Sequence, residues 1–409
     1  MKLNTLYNNS PSAAKRYEEA VKAFEAYFNC SADGARFFSA PGRTEICGNH
    51  TDHNHGKAVA GAVTLDVIAV VVPREDGIIH IKSEGYPEDV IDTASLIPVE
   101  DEKNKSAAII RGVAARFAEF DHKIGGFNAY TTSNVLKGSG LSSSAAFEVL
   151  TCTILDGLYG GGSMDAITKA KISQYAENVY FGKPSGLLDQ MASAFGGIIS
   201  IDFSSTENPV VAPLECDFAK SNTALCIVDV GGDHADLTHE YAAITYEMRA
   251  VSEALGVKFL SEVKEGDFYA ALPDLRAKFG DRACVRAIHF FEENKRVDSL
   301  VEAVGAGDWQ KFFGLVNASG RSSTAYLQNI YSNETVASQG ITLALALSEI
   351  MLGGNGACRV HGGGFGGTTQ NFVPLEYADT FKNQMEAVFG EGSCHVLSIR
   401  PYGGVEVEL

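Results

Sequence analysis

The sequence predicts a protein of mixed α+β class built as two domains. Three observations carry this. Strand-like and helix-like patterns both run through the whole chain, without regular strand–helix alternation. At 409 residues the chain exceeds one small core and has room for two. Its 45% hydrophobic and 21% charged residues are ordinary for a globular protein.

The elements follow in order. Residues 12–28 predict an amphipathic helix, because Ala20, Phe24 and Phe28 recur at four-residue spacing between charges. "ARFFSAPGR" and "AVAGAVTLDVIAVVVPRE" predict strands on either side of a polar stretch, and "GIIHIKSE" and "GFNAYTTSN" predict two more. From Ser142 the pattern turns helical, with Leu150, Ile154 and Leu158 on one face. A further helix over 164–182 ends near Gly182-Lys183-Pro184. "GGIISIDF" and "TALCIVDVGG" predict strands, and 236–355 is mostly helical and more charged. "ACRVHGGGFGGTTQNFVP" reads as a strand, a Gly loop and then a strand or helix. "HVLSIRPYGGVEVEL" closes the chain as a strand pair. The loop-like "FSSTENPVV" puts the domain boundary near 203, giving 1–203 and 204–409, with the last strands free to return to the first domain. The chain has no internal repeat or low-complexity tract.

Charge and cysteines narrow the function. With 33 Lys+Arg against 51 Asp+Glu the formal charge is -18, which argues against a nucleic acid partner. A small phosphorylated ligand stays open, since it needs only a local set of N–H donors and a cation or two. The eight cysteines are scattered with no CxxC pair, as expected for reduced thiols in a cytoplasmic protein. The N-terminus lacks the apolar stretch of a signal peptide. The most apolar segment, Ala58 to Pro73, is short and interrupted by Asp66, so no membrane span is expected.

Four segments concentrate the chemistry. "GRTEICGNHTDHNHGK", Gly42 to Lys57, holds His50, His53 and His55 around Asp52. A zinc reading is weak, because structural zinc takes four ligands and no second cluster complements this one. "NVLKGSGLSSSAAFEV", Asn134 to Val149, offers N–H groups and hydroxyls at a helix N-terminus, where an anion is favoured. It is neither a Walker A motif nor a dinucleotide fingerprint, and a plain Ser-capped helix is an equal reading. "ENVYFGKPSGLLDQMASAFGG" places Glu177 near a helix end and Asp189 among Leu187, Leu188 and Met191. A lone acid there is either used or caps a helix starting near Gln190. In "HGGGFGG", five glycines in six positions point to a loop lying close against a ligand, or to several positive-φ turns.

In this order, "APGRTEICGNHTDHNHG", "LKGSGLSSSAAFEV", "GLLDQ" and "CRVHGGGFGG" resemble the GHMP small-molecule kinases, and among them the galactokinase family. That family's first motif usually reads Gly-Arg-Val-Asn-Leu-Ile-Gly-Glu-His-Thr-Asp-Tyr-Asn. The resemblance covers nearly the whole chain. It implies a ribosomal-S5-like N-terminal domain, a second α/β domain and an active site in the cleft between them. The implied activity is an ATP-dependent sugar 1-kinase acting on D-galactose with Mg²⁺, as a monomer or weak homodimer.

Residue by residue, the resemblance makes Asp189 the catalytic base and Arg43 its neighbour, which orients it and offsets phosphoryl charge. Ser143 and Glu177 match the Mg²⁺ ligands. The loop of Lys137, Gly138, Ser139, Gly140, Leu141, Ser142, Ser143, Ser144 and Ala145 matches the ATP phosphate cradle. Asn49, His50, Asp52, Gly186 and Tyr241 match positions on the sugar side, together with Arg43 and Asp189. Gly362, Gly363, Gly364 and Gly366 belong to the loop implied to close over the site.

The chain also departs from the pattern. Asn49 stands where the family has Glu, His53 where it has Tyr, and Thr44-Glu45-Ile46-Cys47 where it has Val-Asn-Leu-Ile. Gly320 stands where a histidine is frequent. The family's Glu sits near the sugar's C6 hydroxyl. Asn keeps hydrogen-bonding capacity but no longer repels a carboxylate there. D-Galactose is therefore the first expectation, and a galacto-configured sugar altered at C6, galacturonate or an arabinose, is the alternative. A non-catalytic sugar/ATP sensor is disfavoured, because Arg43, Ser143, Glu177 and Asp189 are all present. Homoserine and mevalonate kinases lack the "HTD" seen here.

Overall fold

One strand organises the larger sheet. The computed structural model describes residues 1–120, 123–135, 140–183, 185–205, 208–215, 218–231, 237–332 and 336–409. Their strands are β1 (Arg36–Cys47), β2 (Lys57–Arg74), β3 (Ile78–Ser83), β4 (Glu88–Asp92), β5 (Gly126–Ser133), β6 (Ile198–Asp202), β7 (Val210–Pro213), β8 (Thr223–Asp229), β9 (Ala357–His361), β10 (Thr368–Pro374), β11 (Cys394–Leu397) and β12 (Val405–Val407). The 18 residues of β2 outrun every partner. One half pairs with β6 and the other with β5, while β1 runs antiparallel along both. The described strands of this sheet follow the order β12-β1-β2-β5-β3-β4, with β6 on β2 and β7 on β6. Both faces of β2 are mostly covered, which explains its near-continuous apolar run.

Asp66 interrupts that run and is fully buried. It takes Arg16 at 2.5 Å, Arg400 at 2.8 Å and the Tyr7 hydroxyl at 2.5 Å. A buried carboxylate persists when it is paired and hydrogen-bonded in this way. The same Arg400 donates to Ser39 and to the Tyr402 and Gly403 carbonyls, pinning the chain as it crosses between the sheets.

The smaller sheet has the order β11-β8-β10-β9, antiparallel throughout. Two sequence expectations change here. The closing segment is not a strand pair: β11 joins β8, while β12 joins β1 in the other sheet. The segment after 203 is not all loop, since β7 extends the larger sheet.

The helices over Pro11–Phe28, Ser143–Tyr159 and Leu188–Phe195 pack on the larger sheet. Expected residues 164–182 divide into an α-helix, Ala166–Tyr175, and a π-turn, Ala176–Phe181. The helices Ser106–Ala118 and Ala378–Phe389 were not foreseen. The long helical run Glu265–Ala306 breaks at Gly280, where φ is +83°. Among the described residues, no helix is long and apolar enough to cross a membrane.

Candidate active site

The pairing of β1 with β2 slips twice, between Pro41 and Arg43 and again between Glu45 and Cys47. Bulges re-aim side chains, and here they flank the charged residues Arg43 and Glu45. Arg43, 7% exposed, donates from Nε to Asp189 Oδ1 at 2.7 Å and from Nη1 to the Gly140 carbonyl. Asp189 sits inside the first turn of Leu188–Phe195, whose N-cap is Leu187, so it is not the capping residue. Its second oxygen accepts from Ser142 Oγ at 2.6 Å. Ser142 holds φ +57°, a conformation rare outside glycine and typical of strained functional positions. Burial alone would push the Asp189 carboxyl up. Arg43, as charge and as donor, and then Ser142 outweigh burial and hold it below its usual value.

A cavity of about 250 Å³ opens beside this pair. Arg43, Asn49, His50, Asp52, Gly186, Asp189, Tyr241, Gly362 and Gly363 share its wall, as do the unforeseen Glu45, His53, Lys183 and Ser185. A Cβ on Gly186 would run into Asp52 Oδ2, so glycine lets Asp52 hold this position. Asp52 Oδ1 accepts from the His53 N–H at 2.9 Å. His50 donates from Nε2 to the Gly363 carbonyl at 2.9 Å, which leaves Nδ1 as an acceptor. Tyr241 donates to the Gly364 carbonyl at 2.7 Å, and burial pushes its phenol up to about 12. Its ring lies against Gly363, where a Cβ would meet Cε1 at 2.5 Å. The Gly-rich turn between β9 and β10 thus acts through its carbonyls, while Gly366 N–H bonds back to Gly364 at 2.8 Å. His55 stacks on Phe259 at 3.6 Å.

Asn49 departs from expectation. It is 1% exposed, and its amide is already used. Nδ2 donates to Glu45 Oε1 at 3.0 Å and to the Gly362 carbonyl at 2.8 Å. Oδ1 accepts from Asn329 at 2.8 Å and from Ser323 at 3.1 Å. An amide with both donor and acceptor sites engaged supports the cavity wall more than it reads a ligand.

The polar groups behind this loop were missed in the sequence. His289 donates from Nε2 to the Asn49 carbonyl at 2.9 Å and accepts from Ser322 Oγ at 2.8 Å. Glu293, one helical turn on, accepts from the Gly48 N–H at 3.0 Å, from Ser319 and from Arg296. The only sequence signal was a His and a Glu at i, i+4 in "HFFEENK", inside an apolar face. Burial depresses His289 from 6.5 to about 4. The unfolded chain therefore binds the proton first, and stability is lost as pH falls from about 6.5 towards 4. The loss is of order 3 kcal/mol for this one group once complete. Thermal unfolding between pH 4 and 7 is expected to show a shallower acid slope in His289→Gln than in the parent; equal slopes would remove His289 from the account.

A second cavity, of about 320 Å³, is lined by Ser143 and Ser144. Val67, Ile109, Val135, Phe147 and Phe181 give it apolar walls, and Ser83, Ser106, Thr131 and Ser133 give it polar edges. Beyond Ser143, Ser144 and Phe147, no sequence pattern marked it, because its other residues come from several separate elements. Of the expected phosphate loop, Gly140, Leu141, Ser142, Ser143, Ser144 and Ala145 are described. Lys137, Gly138 and Ser139 lie outside the described residues.

Glu177 is 3% exposed. Its oxygens accept from Lys183 at 2.9 Å, Ser185 at 2.5 Å and Gln190 at 2.9 Å. Gln190 also bridges at 3.0 Å to Glu148, whose other oxygen has no partner among the described residues. Burial, then the Glu177 charge, pushes Glu148 well above its usual value. Two buried carboxyl groups, one of them with an oxygen left without a partner among the described residues, suit a hard divalent cation.

Comparison with known proteins shows the family. A family profile described as GHMP kinases N terminal domain matches residues 108–197, and a galactokinase galactose-binding signature matches 22–73. A galactokinase of Streptomyces coelicolor is 30% identical over 370 residues, covering 90% of this chain and 91% of that protein. A galactokinase of Homo sapiens is 31% identical over 399 residues, covering 95% and 96%. The fold matches the crystal structure of Lactococcus lactis galactokinase complexed with galactose at a TM-score of 0.81 and 24% identity, over 95% of this chain and 99% of that one.

Proposed function

The chain belongs to the galactokinase family of the GHMP kinases and is a sugar kinase, and from that premise we propose that it moves the γ-phosphoryl group of ATP to the anomeric hydroxyl of D-galactose. The observation that carries this reading is Asp189, held between Arg43 and Ser142 on the cavity wall. A carboxylate kept ionised there can accept a hydroxyl proton at neutral pH. As it does so, the sugar oxygen bonds to the γ-phosphorus, the bond from that phosphorus to the bridging oxygen breaks, and ADP leaves. Asp189 then returns its proton to solvent. Arg43 spans the base and the Gly140 carbonyl, so one guanidinium couples the sugar side to the phosphate loop. Positioning and charge stabilisation are most of what phosphoryl transfer asks of a protein.

We assign the cavity beside Ser143 to the nucleoside end of ATP, because apolar walls with polar edges suit a base and ribose. Ser143 and Glu177 would hold Mg²⁺, with Lys183 now supplying the countercharge to Glu177. When bound, Mg²⁺ would neutralise developing charge on the phosphates. Asp52, His50 and Tyr241 take the sugar side, with Gly186 leaving room for Asp52. We place the domain division between Pro213 and Thr223, with β12 returning to the first domain.

The alternative of a sugar altered at C6 rested on Asn49, whose amide is occupied by Glu45, Gly362, Ser323 and Asn329. Galactose is therefore the reading kept. Sugar-dependent ATP consumption is expected to rank galactose at least about tenfold above galacturonate, arabinose, N-acetylgalactosamine and glucose in kcat/KM. The product is expected to be non-reducing, with phosphate on C1. Phosphate on any other hydroxyl would overturn the role given to Asp189.

A further inference from the structure

Glu45 has no role in the reaction as described, yet it lies on the wall of the sugar-side cavity beside Asp52 and Asp189. It is 7% exposed. One oxygen, Oε1, accepts from Asn49 Nδ2 at 3.0 Å and from the buried Arg359 at 3.2 Å. The other, Oε2, accepts from no described residue. Glu45 therefore keeps acceptor capacity for a donor held in the cavity it lines.

The sequence adds a second observation. This chain reads Glu45 and Asn49, where the first motif of the family it resembles has Asn and Glu. The two side chains are hydrogen-bonded to each other. An exchange across a bonded pair conserves one carboxylate and one amide and alters only which residue carries the charge. The bulge between Glu45 and Cys47 falls beside the exchanged pair.

We propose that Glu45 is a specificity-determining residue, whose Oε2 accepts a hydrogen bond from a neutral hydroxyl of the sugar and whose charge rejects sugars bearing a carboxylate on that edge. This rests on reading the cavity as the sugar site. It reverses the sequence-based expectation: loss of Glu at position 49 does not open the site to uronic acids, because Glu45 supplies the charge.

The test uses Glu45→Gln and the exchanged variant Glu45→Asn with Asn49→Glu. Galactose and galacturonate are compared by titration for Kd and by ATP consumption for KM and kcat. For Glu45→Gln, the Kd and KM of galactose are expected to rise about tenfold with kcat within about threefold, and galacturonate is expected to gain relative to galactose. The exchanged variant, which keeps both groups of the pair, is expected to recover the parent ranking. It also carries the test if Glu45→Gln fails to fold. An equal loss for both sugars, or an unchanged ranking in a folded variant, would overturn the proposal. Parent protein that binds galactose without phosphorylating it would sink the proposed function while Glu45 is still judged by Kd. Parent protein that binds no galactose would overturn both.

Discussion

Asp189→Asn is expected to lower kcat by about 10³ while galactose affinity stays within about threefold. The substitution is nearly isosteric. An Asn Oδ1 still accepts from Arg43 Nε, and its NH₂ can donate to Ser142 Oγ, which accepts as readily as it donates. The geometry therefore survives and only the proton acceptor is lost. Because Arg43 loses its anionic partner, a small drop in thermal stability is expected as well. Rapid-quench measurement of ADP and sugar phosphate, with a separate binding titration, tells the two effects apart. A variant keeping more than a tenth of parent kcat would show that Asp189 is not the base.

The order of the motifs made the family and the fold legible, and the cavity gathers the residues expected on the sugar side, Arg43, Asn49, His50, Asp52, Gly186, Asp189 and Tyr241. Strand pairing was less so. Nothing in "HVLSIRPYGGVEVEL" says that β11 and β12 part company, because the choice depends on Arg400 finding Asp66 more than 300 residues earlier in the chain. The support of the sugar-side loop was hidden for the same reason: His289 and Glu293 reach Asn49 and Gly48 across about 240 residues. Asn49 shows the limit most sharply. As a letter it reads as a missing charge. In space the side chain of Glu45, four residues earlier, is bonded to it, and only that contact shows the two positions to be linked. Position-by-position comparison treats such changes as independent, although the energetic effects of bonded neighbours are not additive.

Arg43 raises the question of what an arginine does there that a lysine could not. Arg43→Lys keeps the charge but replaces a rigid fork by one ammonium, which cannot serve Asp189 and the Gly140 carbonyl from two directions at once. A loss of about 10² in kcat is expected, while Arg43→Met is expected to lose about 10³. The pH profile separates the two roles. In the parent, burial pushes the Asp189 carboxyl up, and Arg43, followed by Ser142 and Lys183, together more than cancel it. With Arg43→Met the upward push is opposed mainly by Ser142, so the folded-state pKa of Asp189 rises. Activity requires the ionised carboxylate and is lost as pH falls through that pKa. The acid limb of kcat against pH should therefore move to higher pH in Arg43→Met and move less in Arg43→Lys. An acid limb that stays in place while kcat falls would mean that Arg43 acts on the phosphates alone, and that Ser142 suffices to keep the base ionised.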